Sequence, residues 1–262
     1  MKPKTRSVKP ARPRYAQGVC RWCFDGIALE TLAEHAAAMG LKGIDLVEPS
    51  QWEVLRRHNL VCSMTPSHGI TGGLNDSANH SECLKKMRNA IEATAAARFP
   101  NVICFSGNRA AKLSDSDGLR NCARALKRVM KLAEKKKVTV CMELLNSKVN
   151  HRGYMCDSTT WGAELARRVG SERFKLLYDI YHMQVQEGNV IATIQKYAPI
   201  IGHYHTAGVP GRGEMNETQE LFYPAIMRAI AQTGFEGFVA HEFIPTGDAL
   251  SALRRVVTTC TV

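Results

Sequence analysis

Short apolar or β-branched runs alternate with longer amphipathic stretches along nearly all of this 262-residue chain. The repeat is about 30 residues, the size of one strand–helix pair. Strands are expected over residues 15–24, 43–47, 60–64, 101–107, 138–145, 174–181, 201–207 and 238–244. Helices are expected over 29–40, 52–59, 81–98, 115–137, 159–170, 189–199, 221–234 and 248–257. The stretch 115–137 shows the pattern well: Leu119, Cys122, Leu126, Val129 and Met130 share one face, and Lys135, Lys136 and Lys137 close it where the helix dipole favours cations. Strands rich in Val, Ile, Leu and Cys with helices between them imply a buried parallel sheet under helices. Eight such pairs fit a (β/α)8 TIM barrel of the α/β class better than an open doubly wound sheet. Neither G-x-G-x-x-G after the first strand nor G-x-x-x-x-G-K-[ST] occurs, which weighs against dinucleotide or P-loop binding. No linker interrupts residues 15–262, so they are expected to form a single domain.

The formal charge of +11 raises the question of nucleic acid. Much of it sits in residues 1–14, where Lys2, Lys4, Arg6, Lys9, Arg12 and Arg14 occur without an acid. Pro3, Pro10 and Pro13 forbid a regular helix there, so this segment reads as a flexible basic arm. The barrel itself carries only a mild excess, and no nucleic-acid partner is expected. No apolar run approaches the ~20 residues that span a bilayer, and no apolar core follows the basic start, so a soluble chain without membrane partner or secretory leader is expected. Nine cysteines, an odd number scattered through a large domain, fit free thiols in a reducing, cytoplasmic setting. Cys20 and Cys23 have the spacing of a metal pair, but no second pair completes four ligands.

Barrel active sites gather at the carboxyl ends of the strands. Four late strand positions carry groups suited to a metal: Glu143 in VCMELLN, Asp179 in LLYDIYH, His205 in GHYHTAG and Glu242 in VAHEFIP. Singly each has a plain explanation. A glutamate can pair with an arginine, Asp179 can cap a helix, and His205 can be a hydrogen-bonded core histidine. A carboxylate in an apolar strand is nevertheless costly to bury unless paired or bound to a cation. Three carboxylates and one imidazole suit one divalent ion, with Mn²⁺ favoured and Mg²⁺, Co²⁺ or Zn²⁺ compatible.

The same segments carry a resemblance. ELLN, YDIYHMQ, HYHTAGVPGRGE and HEFIPT resemble the hydroxypyruvate isomerase group of the xylose-isomerase-like barrel superfamily, most specifically over residues 138–246. The resemblance implies a (β/α)8 barrel with one divalent metal held by Glu143, Asp179, His205 and Glu242. It further implies acid/base roles for Glu143 and Glu242 and substrate contacts from His182 and Arg212. One position departs from the pattern. The third ligand of the better-known hydroxypyruvate isomerases is a Gln, and His205 resembles the related ketose 3-epimerases instead. The loop 67–80 also differs, and its His68 is a further candidate for the substrate mouth.

The implied activity moves a proton on a carbon beside a carbonyl, through an enediolate, in hydroxypyruvate or another small hydroxycarbonyl; a ketose 3-epimerase is the alternative. Such a C–H is too weakly acidic for a free carboxylate, so a Lewis acid and two positioned carboxylates are the groups required. Arg212 suits a substrate carboxylate, whereas it could equally be a surface loop cation, and His182 could simply brace Asp179. Trp22 reads as core packing or an apolar wall, and Asn108 and Arg109 as substrate contacts or loop braces. Two other classes compete. Asp179-x-x-His182 resembles a zinc-ligand pair of endonuclease IV-like enzymes, but the further histidines of a three-metal cluster are missing. A non-catalytic sugar-binding barrel would not need a second carboxylate across the site. A homo-oligomer is compatible with the sequence.

Overall fold

The computed structural model describes residues 13–111 and 113–262. The basic arm expected over 1–14 lies outside the described residues except for its last two positions, where Arg14 pairs with Glu236 at 2.6 Å. Seven strands form one sheet: β1 (Ala16–Cys20), β2 (Gly43–Asp45), β3 (Asn101–Cys104), β4 (Thr139–Leu144), β5 (Phe174–Asp179), β6 (Ile201–Thr206) and β7 (Phe238–His241). Their order is β2-β1-β7-β6-β5-β4-β3, and every neighbouring pair is parallel.

The strand expected over 60–64 does not form as a continuous ladder. It is reduced to two isolated bridges, Gly43–Val61 toward β2 and Thr65–Val102 toward β3. The amides of Ile44, Thr65 and Ile103 still cross these gaps, bonding to Val61 O (2.9 Å), Asn101 O (2.9 Å) and Thr65 O (3.0 Å). Side chains displace the ladder in its middle: Asn101 Nδ2 donates to the Ser63 carbonyl at 2.9 Å, and Ser63 Oγ donates to Asp45. The stave therefore closes the ring between β2 and β3, giving the eight-fold barrel that the repeat implied.

Nine helices among the described residues surround the sheet: α1 (Leu29–Ala38), α2 (Trp52–Arg57), α3 (His80–Ala97), α4 (Asp115–Lys136), α5 (Thr159–Val169), α6 (Ile180–Gln186), α7 (Val190–Tyr197), α8 (Tyr223–Gln232) and α9 (Ala249–Thr259). Local chemistry explains their limits. Ser114 Oγ accepts the Asp117 amide at 3.1 Å to start α4, Asp115 and Asp117 fill its first turn, and Lys135 and Lys136 its last. Gly170, at φ +68°, ends α5 in the left-handed conformation. None of the helices is long and apolar enough to cross a membrane.

Most expected strands stop a few residues early, those over 101–107 and 238–244 at Cys104 and His241, and two of these truncations shape the mouth. The run over 174–181 ends at Asp179, whose Oδ1 accepts the His182 amide at 2.9 Å and so caps α6. The run over 15–24 ends at Cys20, and Arg21–Phe24 turns into a 3₁₀ helix. Strand alternation places Cys141 and Glu143, Leu177 and Asp179, and His203 and His205 on one face each. That face is the barrel interior, since His205 there approaches Cys20, Asp45, Glu143 and Glu242. Space is tight: a Cβ on Gly43 would fall 2.3 Å from Ser63 Oγ, so only glycine leaves room for the Ser63–Asp45 bond.

Candidate active site

At the carboxyl ends of β4, β5, β6 and β7, one ligand atom each from Glu143, Asp179, His205 and Glu242 lies within 4.8 Å of every other. All four residues are buried. His205 Nδ1 is 2.9 Å from Glu242 Oε2 and 3.3 Å from Glu143 Oε1. Neither approach has hydrogen-bond alignment: His205 Nδ1 and Glu143 Oε1 are buried without a hydrogen-bond partner among the described residues. Buried polar atoms left in this way are uncommon and call for a missing partner. Lone pairs from three carboxylates and one imidazole converging on one point fit a divalent cation, and this donor set matches oxygen- and nitrogen-preferring ions.

The electrostatics agree. Burial first, then the neighbouring carboxylate Glu242, pushes Asp179 up to about 8, although Arg212 opposes the shift. Burial raises Glu143 as well, against the pull of His205. Glu242 moves the other way: burial opposes its charge, but His205 and Arg212 outweigh burial and hold it well below the usual carboxylate range. Burial likewise opposes charge on His205, and Glu242 leads the interactions that overcome it and raise the imidazole. The upward shifts of Asp179 and Glu143 show that three buried carboxylates crowd one place, where a cation would favour their charged forms.

A second set of side chains fixes the ligands. Asp45, at the end of β2, is fully buried and accepts from His203 Nε2 at 2.7 Å and His205 Nε2 at 3.0 Å through the same oxygen. Burial disfavours the Asp45 carboxylate, yet His203 and His205 outweigh burial and keep it ionised. Asp45 accepts from Nε2 of His205 and so turns Nδ1 toward the carboxylates, the orientation usual behind a ligating histidine. Cys20 Sγ lies 3.7 Å from His205 Nε2, and burial, joined by Glu242, raises its thiol well above the ordinary range. Cys20 therefore packs here as a neutral group. Cys23 does not join it, and all nine cysteines are free.

Trp22 is neither buried core nor a plain apolar wall. It is 38% exposed, and its Nε1–H donates to Glu242 Oε1 at 2.6 Å. Arg212 holds the other oxygen of Glu242 at 2.5 Å and stands 3.4 Å from Asp179 Oδ2. Its guanidinium carbon lies over the rings of both Trp22 and Tyr181, at 5.1 and 5.5 Å from their centroids. Arg212 is thus no free surface cation. His182, fully buried in the first turn of α6, places Nε2 3.7 Å from Asp179 Oδ2, too far for a hydrogen bond.

His68 is held elsewhere. Its Nε2 accepts the Phe105 amide at 3.4 Å, its Nδ1 faces the Gly69 carbonyl at 3.1 Å, and its ring edge packs on Phe105. Burial pushes it down to about 4. Arg109 braces loops: it pairs with Asp115 and Asp157 and donates to the carbonyls of Tyr154 and Met155. Asn108 offers its carbonyl to Asn75 Nδ2 at 2.7 Å. His241 is a satisfied core histidine, bonded to Thr206 Oγ1 and Gln17 Oε1.

Sequence reading missed Asp45, His203 and the Trp22 bond to Glu242. Asp45 was within reach, since it is an acid late in the apolar strand GIDLV, the criterion that selected the other four.

Among known proteins, the chain is similar to a putative hydroxypyruvate isomerase of Homo sapiens, 34% identical over 112 residues. That stretch is 43% of this chain and 40% of the human protein, so the match spans under half of that relative's length. The hydroxypyruvate isomerase of Escherichia coli (strain K12) is 24% identical over 235 residues, covering 84% of this chain and 90% of that one. In three dimensions the chain is similar to the structure of an AP endonuclease, family 2, from Brucella melitensis, with a TM-score of 0.82 at 22% identity, covering 92% and 96% of the two chains. At that identity the likeness speaks for the fold alone. The model of the xylose isomerase-like TIM barrel family matches residues 24–259, and the chain belongs to that family.

Proposed function

We propose that this chain is a cytoplasmic, divalent-metal-dependent isomerase of carbohydrate metabolism that converts hydroxypyruvate to tartronate semialdehyde. The observation that carries the reading is the convergence of Glu143, Asp179, His205 and Glu242 beside Arg212. Glu143, Asp179, His205 and Glu242 would hold the ion, with Mn²⁺ foremost. Bound there, a divalent ion would act as a Lewis acid, lowering the acidity barrier of the C–H beside the carbonyl and stabilising the enediolate.

The remaining work falls to side chains. One of Glu143 and Glu242 takes a proton from the hydroxymethyl carbon, and the other supplies one to the former carbonyl carbon. The hydroxyl proton passes to the former carbonyl oxygen, so the product is an isomer and no oxidant is needed. Trp22 and Arg212 grip both oxygens of Glu242 and fix its direction of attack. Arg212 and His182, both beside Asp179 Oδ2, supply donors for the substrate's carboxylate or oxygens. His68, with both ring nitrogens engaged by backbone, would at most shape the loop beside the substrate and is given no proton chemistry. His205 in the third ligand position favours one second reading, a ketose 3-epimerase, in which the proton returns to the same carbon from the opposite face.

The test is turnover in D₂O by the Mn²⁺-supplemented chain. Hydroxypyruvate should be consumed, and deuterium should enter the carbon that bears the new hydroxyl. Turnover of ketoses with none of hydroxypyruvate would move the assignment to the epimerase. Absence of exchange with either class would remove the isomerase reading.

A further inference from the structure

Asn146 follows β4 and is fully buried, and its side-chain amide makes every hydrogen bond it can. Its Oδ1 accepts the backbone amides of Val149 (3.1 Å) and Asn150 (2.9 Å). Its Nδ2 donates to Asn150 Oδ1 at 2.8 Å and faces His182 Nδ1 at 2.6 Å. The two backbone donors leave no freedom to exchange the oxygen and nitrogen of this amide, because a flipped Asn146 would point N–H at N–H. The atom facing His182 Nδ1 is therefore a donor, and His182 Nδ1 must accept. A neutral imidazole that accepts at Nδ1 carries its proton at Nε2.

His182 Nε2 is buried and has no hydrogen-bond partner among the described residues. His151 and Tyr181 pack against the ring edge-on, each with centroids 5.1 Å away, and turning it would give up the contact with Asn146. Tyr181 is itself tied into the same network, since its hydroxyl donates to Asn150 Oδ1 at 2.9 Å. The result is a fixed N–H beside Asp179, near the guanidinium of Arg212, with no hydrogen-bond acceptor among the described residues.

We propose that Asn146 is a positioning residue that locks His182 as a neutral Nε2–H donor, so that His182 binds a substrate oxygen and cannot serve as the proton-abstracting base. Two fixed donors, His182 Nε2–H and Arg212, then face the substrate from one side, which suits the carboxylate of a small 2-oxo or hydroxy acid. The assignment of substrate class rests on the proposed isomerase reading; the tautomer does not.

The experiment is nitrogen NMR of the full chain, ¹⁵N-labelled at histidine and loaded with diamagnetic Mg²⁺ or Zn²⁺, with His182 identified by loss of its signals in His182→Gln. Wild-type His182 should show a protonated Nε2 and a bare Nδ1. Asn146→Asp keeps an oxygen for the two backbone amides but turns the other atom into an acceptor. His182 should then carry its proton on Nδ1, and kcat/KM for hydroxypyruvate should fall about 10- to 100-fold, the worth of a hydrogen bond to a charged group. A protonated Nδ1 in the wild type would overturn the proposal without requiring any variant to fold. An Asn146→Asp chain with the wild-type tautomer and unchanged kcat/KM would also overturn it. The expected tautomer in a chain that turns over no hydroxycarbonyl would uphold the Asn146 lock and sink the isomerase reading instead.

Discussion

Replacing either Glu143 or Glu242 with glutamine is expected to lower kcat by about 10²- to 10⁴-fold, the usual contribution of a positioned acid or base. Deuterium exchange from solvent should vanish with it. Glutamine keeps the size of the side chain and one carbonyl oxygen, so packing among the buried neighbours should survive. The two variants should differ in what else they disturb. Glu242 receives Trp22 Nε1–H and the Arg212 guanidinium, so its amide would set an NH₂ group against one of these donors and loosen the grip. Glu143 Oε1 has no hydrogen-bond partner among the described residues, so Glu143→Gln should leave Trp22 and Arg212 in place. Metal content has to be measured beside each rate, since both side chains are also candidate ligands. Exchange that persists with metal retained would take that glutamate out of the proton transfer.

Arg212→Met should have the next largest effect, and it depends on the substrate. The guanidinium is mostly buried, paired with Glu242 and Asp179, and set over the rings of Trp22 and Tyr181. Removing one member of a buried, hydrogen-bonded charge pair costs about 2–5 kcal/mol. For hydroxypyruvate this corresponds to about 30-fold or more in kcat/KM. A neutral ketose should lose less, because only the tether on Glu242 is missing and no substrate carboxylate is left unpaired. Equal losses for the two substrates would show that Arg212 acts on Glu242 alone.

Much of this site was legible because a barrel makes chemistry local in sequence. Asp179 and His205 end apolar strands of plain period-2 or continuous character, and β-sheet register brings them side by side without any long loop. Glu143 and Glu242 follow by the same rule. What failed to read was governed by side-chain competition with the backbone. Asp179 reads as the end of a longer strand because LLYDIYH stays apolar beyond it, yet its carboxylate caps α6 and stops the strand. Ser63 and Asn101 interrupt the third stave through bonds that no hydrophobic pattern encodes. Asn146 stays hidden because its partner His182 lies 36 residues away, and only the pairing of β4 with β5 makes them neighbours. Trp22 was read as core because tryptophan is commonly buried, whereas its indole spans solvent and Glu242.

Equilibrium dialysis of the full chain against Mn²⁺ asks whether these four side chains form one metal centre. Wild-type protein should take up about one ion per chain, and His205→Ala, which removes the imidazole but not the fold, should lose most of that uptake while its circular dichroism stays that of the wild type. Unchanged uptake in His205→Ala, or full turnover by well-folded wild-type protein stripped of metal, would contradict the account.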